Sequence, residues 1–381
     1  MTSASLERRL MFSFAVFGIF WGAWGALLPE IKSNVNLGEA ALGGALLFIA
    51  LGAVIGMWAA GRLFDRLGTA VIAPSHIFFA LATIPPALAR RPVELIAGLL
   101  LLGVTTGMLD VVINGATAAY ESQSGKLLMG RVHAMFSLGV LVAGVSVGAM
   151  RDAEASELEI LVPIAGLVLV GAVATRGVVI SHDRQRQITA PHTTSLVLIL
   201  GALCALAFLI EDGMLSWSAI HLEQTLGGSP TIGGLGPTCL AAAMVVGRAL
   251  TSKVSARFDE RAVIGVGGLI AAGGAGLTAL AQSTPVALAG IVATGAGISV
   301  CAPLIFSLAG RVAAPNRQGA VIARVTTIAY TGFIIGPPLV GGVAGIAGLR
   351  SGIAAMAVIA LVLAWGSRLV PVRESAVIPG G

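Results

Sequence analysis

Along most of the chain, apolar residues follow one another without the alternation of a strand or the one-sided stripe of a soluble helix. A membrane-crossing helix needs roughly 20 such residues. Runs of that length recur twelve times, at about 10–31, 39–61, 69–89, 93–119, 128–150, 158–181, 194–221, 231–254, 262–282, 284–312, 319–346 and 350–369. Short polar turns separate most of them. The longest polar stretch, SHDRQRQITAPHTT at 181–194, falls at the middle of the chain. The pattern predicts an all-α integral membrane protein with twelve transmembrane helices. It divides into a six-helix bundle over 1–180, a linker over 181–193 and a second six-helix bundle over 194–381.

Composition excludes the soluble alternatives. Hydrophobic residues make up 56% of the chain and charged residues 11%, with a mean hydropathy of +0.95. Soluble domains carry about 25% charged residues. The 51 glycines fit the same picture, because small residues let apolar helices pack backbone to backbone. Cys204, Cys239 and Cys301 stand far apart inside apolar runs, with neither a CxxC pair nor metal-ligand spacing, so reduced, buried thiols and no metal are expected. The first run follows Arg8 and Arg9 but is too long for a signal core and lacks a small-x-small cleavage site. We read it as an uncleaved first helix.

Charge sets the topology. Of the 23 Arg and Lys residues, 18 fall at the termini and at the even-to-odd connections, and five fall on the other face: Lys32, Arg90, Arg91, Arg151 and Arg350. That bias places both termini in the cytoplasm. The acidic segment 152–159 then faces outward. The basic pI of about 9.6 reflects topology, and no nucleic-acid surface is implied.

The halves echo one another. MGRVHAMFSLGVLVAG at 129–144 matches IARVTTIAYTGFIIG at 322–336, with Arg131 and Arg324, and Gly139 and Gly332, at the same offset. GMWAAGRLFDRLGTAVI at 56–72 likewise matches MVVGRALTSKVSARFDERAVI at 244–264. Pseudo-symmetric six-helix repeats joined by a basic linker are a transporter architecture with a site between the halves. Gly61, Asp65, Arg66 and Gly68, in GRLFDRLG, sit between the second and third spans.

On these residues the chain resembles the major facilitator superfamily over nearly its whole length. The family loop motif Gly-x-x-x-Asp-Arg-x-Gly is matched except that Thr69 and Ala70 replace the usual basic pair. The resemblance implies a gating role for Gly61, Asp65, Arg66 and Gly68, with Arg131 and Arg324 as partners. Physically, Gly61 and Gly68 would permit a tight reversal. Asp65 would sit at the positive end of a helix beginning near Gln318, with Arg324 nearby.

Inside the spans, polar residues are few. GMLDVVIN at 107–114 puts Asp110 and Asn114 on one helical face with Thr106. An ionised Asp at mid-span costs roughly 2.5–3.5 kcal/mol on insertion scales. It therefore faces either a cavity, as a proton-carrying or solute-binding group, or a partner helix, as a structural hydrogen bond. The pair resembles the acid-x-x-x-Asn pattern of the fucose-permease-like sugar–proton symporters, with Asp where that branch has Glu. That resemblance implies proton coupling and solute binding at Asp110 and Asn114, and a pocket role for Ser137. In LIEDGMLSWSAIHL, Glu211 and Asp212 are adjacent and Gly213 is a candidate point of unwinding. Trp217 lies about 9 Å along the helix from Glu211, near enough for one solute. The alternative is an outer-interface segment with solvated acids. Trp24, with Trp21 on the same face, could stack on a solute or anchor at the interface. His133 is a proton relay or a hydrogen-bonded helix-end residue, and Glu30 an interface residue. The Gly-x-x-x-Gly arrays at 52–56, 144–148, 332–336 and 341–345 predict close helix crossings, and Pro337-Pro338 a bend.

An enzyme is not expected. Gly144-Val-Ser146-Val-Gly148 matches a nucleophile elbow but lies in a helical run, and no metal or ATP motif appears. No cofactor is implied. The expected activity is secondary transport of a small, sugar-like solute by alternating access, coupled to protons, by a monomer in the cytoplasmic membrane. The competing readings are proton-driven efflux of drugs or metabolites, and a transporter-derived receptor. The antiporter Gly-Pro-Gly of the fifth span is missing its proline.

Overall fold

The computed structural model describes residues 3–126, 128–178, 195–312 and 318–370. Fourteen α-helices follow in order among them: α1 (Ser3–Val35), α2 (Glu39–Leu67), α3 (Ile72–Ala82), α4 (Pro85–Leu88), α5 (Pro92–Ser124), α6 (Met129–Asp152), α7 (Glu157–Thr175), α8 (Ser195–Ile220), α9 (Pro230–Ser255), α10 (Glu260–Leu280), α11 (Thr284–Ser299), α12 (Cys301–Val312), α13 (Gln318–Ala347) and α14 (Leu349–Gly366). The expected linker lies outside the described residues.

Twelve crossings account for these helices. The third is α3 followed by the short α4, and the tenth is α11 followed by α12. Eleven helical stretches are long and apolar enough to cross a membrane, and one of them, Glu39–Leu88, has 50 residues. At 1.5 Å per residue that is about 75 Å, enough for two crossings of a 30 Å hydrocarbon layer. The reversal between them falls at Gly68, whose φ of +58° closes α2 with its N–H on the Phe64 carbonyl. Gly61 does not share in it: it lies inside α2, a turn and a half before the helix ends. A Gly at each end of the motif suggested two turn residues, but the helix needs a left-handed residue only where it stops.

Lipid is as apolar as a Leu side chain, so these helices do not associate by hiding hydrophobic surface. On α2, Leu51, Val54, Ile55 and Trp58 point outward and are exposed, while Gly52 and Gly56 are buried against α5. A Cβ at Gly56 would lie 1.9 Å from the Val104 carbonyl oxygen. The two repeats use the same device at matching places. A Cβ at Gly139 of α6 would lie 2.4 Å from the Ala15 oxygen of α1, and one at Gly332 of α13 would lie 2.0 Å from the Ala205 oxygen of α8. Within the first half α1 packs on α6 and α2 on α5; within the second α8 packs on α13 and α9 on α11. Between halves the main contacts are α6 with α9 and α2 with α13, with α1 touching α8 and α9. Gly144 and Gly148, the glycines of the elbow-like motif, abut Thr238 and Pro230 of α9 from within α6.

Two further expectations are corrected. The helix does not unwind at Gly213, which lies inside continuous α8 and gives room to Met356 and Val340. The irregular turn comes about two helical turns later, a π-helical segment over His221–Thr225. Arg248, counted by its charge with the even-to-odd connections, sits within α9.

Replacing Gly56 by Val should lower the unfolding midpoint of the detergent-purified protein. Overpacking of this kind costs about 1–3 kcal/mol. Gly273→Ala, where an added Cβ meets nothing within 4 Å, should leave the midpoint unchanged. Equal behaviour of the two variants in a thermal melt would contradict backbone-to-backbone packing at Gly56.

Candidate functional site

Asp110 lies just past the midpoint of α5, and both carboxylate oxygens are occupied. Asn114, one turn on, donates its amide to Oδ1 at 3.0 Å and to the Asp110 carbonyl at 2.9 Å. The Tyr330 hydroxyl of α13, from the other half, donates to Oδ2 at 3.1 Å. The same-face prediction for Asp110 and Asn114 thus describes a real contact. Their cross-half partner was not foreseen.

Tyr330 belongs to an aromatic wall. Its ring meets Phe208 of α8 edge-on at 6.3 Å between centroids and Phe333 at 5.6 Å; Phe208 and Phe333 stack at 4.3 Å with planes 16° apart. One turn beyond Phe208 is Asp212, and beside it Glu211. The Glu211 carboxylate takes a two-point contact from Arg248 of α9, at 3.3 and 3.4 Å, with both side chains partly open to solvent. Asp212 is half-buried and makes no hydrogen bond or ion pair among the described residues. On the facing half, His133 of α6 is exposed, with its ring edge-on to Phe14 at 5.2 Å. It lies within the field of the Arg248 charge.

Other expected site residues are packed away. Trp217 is fully buried and donates its indole N–H to the Pro337 carbonyl of α13 at 3.0 Å. Six residues turn a helix through 600°, so Trp217 points about 120° from Glu211, toward α13 and away from any shared solute. Trp24 is 4% exposed and lies stacked with Phe20 at 6.3 Å; Trp21 is the more open of the pair. Ser137 is buried and donates to the His133 carbonyl at 3.1 Å.

The motif residues also find local roles. Asp65 and Arg66 are exposed at the end of α2, and Arg324 is half-buried in α13. Arg131 pairs with Glu7 of its own half at 3.0 Å. Lys126 and the Tyr120 hydroxyl reach the same carboxylate at 3.4 and 2.6 Å. Thr69, at a position where a basic residue was expected, hydrogen-bonds the Val178 carbonyl after α7.

A second polar assembly closes the face opposite the N-terminus. Arg151, its side chain only 7% exposed, grips Glu223 of the second half with two hydrogen bonds of 2.7 and 3.0 Å. It also reaches Glu30 at 2.9 Å and the Ala26 carbonyl at 2.7 Å. Lys32 bridges Glu39 at 3.0 Å and Gln224 at 2.7 Å. Asp152 accepts hydrogen bonds from Ser229 and Thr231. The acidic segment 152–159 is therefore not simply solvated: Glu157 is buried against Asn34, and Glu159 closes the capping box of α7 with Ser156. Three of these residues, Arg151, Lys32 and Asp152, join the halves, so the protein is latched on this face.

The family model described as the Major Facilitator Superfamily matches residues 199–379. An uncharacterized MFS-type transporter of Yersinia pestis is 29% identical over 376 residues, covering 97% of this chain and 96% of that one. The fold is that of the nucleoside transporter NupG, in its D323A form, with a TM-score of 0.78 at 14% identity, covering 96% of this chain and 99% of that one. It is also that of the xylose transporter XylE from E. coli in an inward open conformation, with a TM-score of 0.74 at 14% identity and 98% of both chains covered. The second half of the chain thus matches the major facilitator superfamily, and nearly the whole chain is similar to an MFS-type transporter. Helices of the two halves meet at the Asp110–Tyr330 contact, and the Glu211–Arg248 pair lies within the second half. Two members of this site were missed in the sequence, though each left a trace. Tyr330 is one of only two tyrosines in the chain, and Arg248 is an in-span cation that an in-span acid must balance.

The latch gives a direct test. In a background with the three native cysteines replaced by Ser, Ser218→Cys puts a thiol at a fully buried position near Gly236. Removing Arg151 strands two carboxylates, a loss of about 3–5 kcal/mol for a buried pair. Arg151→Ala should therefore raise labelling of that thiol by a membrane-impermeant maleimide severalfold. Unchanged labelling would mean that the latch does not hold this face shut.

Proposed function

We propose that the protein moves a small, polar, sugar-like solute across the cytoplasmic membrane by alternating access, with proton coupling through Asp110. Its first bundle spans 1–180 and its second 194–381; both termini are cytoplasmic, and it works as a monomer. The observation that carries the reading is the double engagement of Asp110, to Asn114 in its own half and to Tyr330 in the other. An ionised carboxylate accepts hydrogen bonds at both oxygens, whereas a protonated one must place a donor of its own. A proton on Oδ2 turns that oxygen into a donor, so the Tyr330 hydroxyl must change from donating to accepting, and protonation and the contact between halves are linked. The latch on the opposite face supports a state open toward the cytoplasm, with the Glu211–Arg248 pair partly open to solvent.

The solute class rests on a residue pattern and on the fold. Asp110 and Asn114 resemble the acid-x-x-x-Asn pair of fucose-permease-like symporters, and the fold is shared with transporters of xylose and nucleosides by their descriptions. A polyhydroxylated solute would match the mixed donors and acceptors and the aromatic wall around Tyr330.

Sealed vesicles with an imposed pH gradient test the coupling. The wild-type protein should accumulate a monosaccharide probe found by melting-point screening, and Asp110→Asn should abolish gradient-driven accumulation at matched expression. Tyr330→Phe should weaken coupling while leaving the carboxylate in place. Accumulation by Asp110→Asn at the wild-type level would remove Asp110 from the coupling path. Outward movement of lipophilic drugs alone would replace symport by efflux.

A further inference from the structure

Three carboxylates line the middle of this transporter, and two of them are spoken for. Asp110 is held by Asn114 and Tyr330, and Glu211 by Arg248. Asp212 is the exception. It is half-buried in α8, at mid-span, with no hydrogen bond or ion pair among the described residues. A carboxylate removed from bulk water without a partner is costly, so its retention at this point calls for a counter-charge from outside the chain.

Its position indicates which one. Phe208 and Asp212 are four apart on unbroken helix and share a face. The Phe208 ring belongs to the wall formed with Phe333 and Tyr330, whose hydroxyl ends at Asp110. An anionic group beside aromatic faces attracts a cation twice, through the charge and through the ring quadrupoles. A second unsatisfied group lies one turn before Asp110 on α5: Thr106, 8% exposed, has a buried hydroxyl with no hydrogen-bond partner among the described residues. It is a neutral donor or acceptor of the kind that a solute hydroxyl would meet.

We infer that the transported solute carries an ammonium group as well as hydroxyls, an amino sugar or aminocyclitol in chemical class, with the ammonium seated between Asp212 and the Phe208–Tyr330 wall. This rests on the transporter reading above and adds a division of labour. Asp110 answers to the proton, and Asp212 to the solute. Asp212 is a specificity residue because a neutral sugar leaves it unpaired, and a solute carboxylate would be repelled by it.

The test compares probes that differ by one charge. Glucosamine, glucose and N-acetylglucosamine are added to the purified protein, and the melting point is read at each concentration to give apparent affinities. Glucosamine should bind about tenfold or more tightly than the other two, the scale of a charge-assisted contact with an aromatic neighbour. Asp212→Asn should erase that preference, and Asp212→Glu should keep most of it, which separates loss of charge from loss of fold. Galactosamine and galactose repeat the comparison with a different ring. Tighter binding of the neutral sugars, or a preference for amines that survives in Asp212→Asn, overturns the assignment while leaving sugar transport intact. Loss of gradient-driven uptake in Asp212→Asn with the amine preference unchanged makes Asp212 a proton carrier instead, and also overturns it. Stabilisation by lipophilic drugs alone, or by no member of the panel, removes the amine-binding assignment; the drug result takes the sugar-like reading with it.

Discussion

Backbone contact between helices is the constraint on which the rest of the protein depends. In lipid the hydrophobic effect gives no reason for one apolar helix to prefer another, so association has to come from close van der Waals fit. Glycine makes that fit possible by removing the side chain at the crossing. The chain spends its glycines in matching places: Gly139 against Ala15 and Gly332 against Ala205 within the halves, Gly148 against Pro230 and Gly341 against Gly43 between them. The within-half crossings leave no room for adjustment, so each half behaves as a stiff unit, and the polar groups ride on units of fixed shape.

Those polar groups fall into two layers. In the layer opposite the N-terminus the two buried cations are fully engaged: Arg151 uses its guanidinium on two carboxylates and a carbonyl, and Lys32 bridges two acceptors. The middle layer is under-filled. Among the described residues Asp212 and the Thr106 hydroxyl have no partner, and the Glu211–Arg248 contacts, at 3.3 and 3.4 Å, are longer than those of the latch. Saturated groups hold a conformation, whereas unsatisfied ones await something that arrives and leaves.

Much of the fold could be read from the sequence because lipid imposes one rule on every span. Twelve apolar runs of sufficient length, a repeat offset and a loop motif led to the architecture, and the errors came where length alone was the guide. The third span is broken after α3, and Gly61 was grouped with Gly68 because glycine in a motif looks like a turn while only φ distinguishes them. The site was less legible. Asp110 and Asn114 were visible because their contact is local, set by the helical repeat. Tyr330 was not, because its contact crosses between halves and no spacing within one helix encodes it. Trp217 misled for the converse reason: its distance along the helix suited a solute, but its direction, 120° round from Glu211, did not.

In the proposed alternating-access cycle, the latch and the middle layer let an electrostatic interaction govern a large motion. The halves touch through two symmetry-related pairs, α6 with α9 and α2 with α13, and both close on the same face. Rocking about the middle must open these crossings together, and the glycines that allow tight approach also allow clean separation, because no interdigitated side chains need to withdraw. What resists separation is then the polar latch, supplemented by van der Waals contact. In the proposed cycle the Asp110–Tyr330 bond lies close to the pivot, where a small change in hydrogen bonding acts on both faces. A proton on Asp110 and a cation at Asp212 would each alter the charge of that pivot region. Coupling between solute and proton therefore needs no long relay, only two carboxylates joined through one aromatic wall.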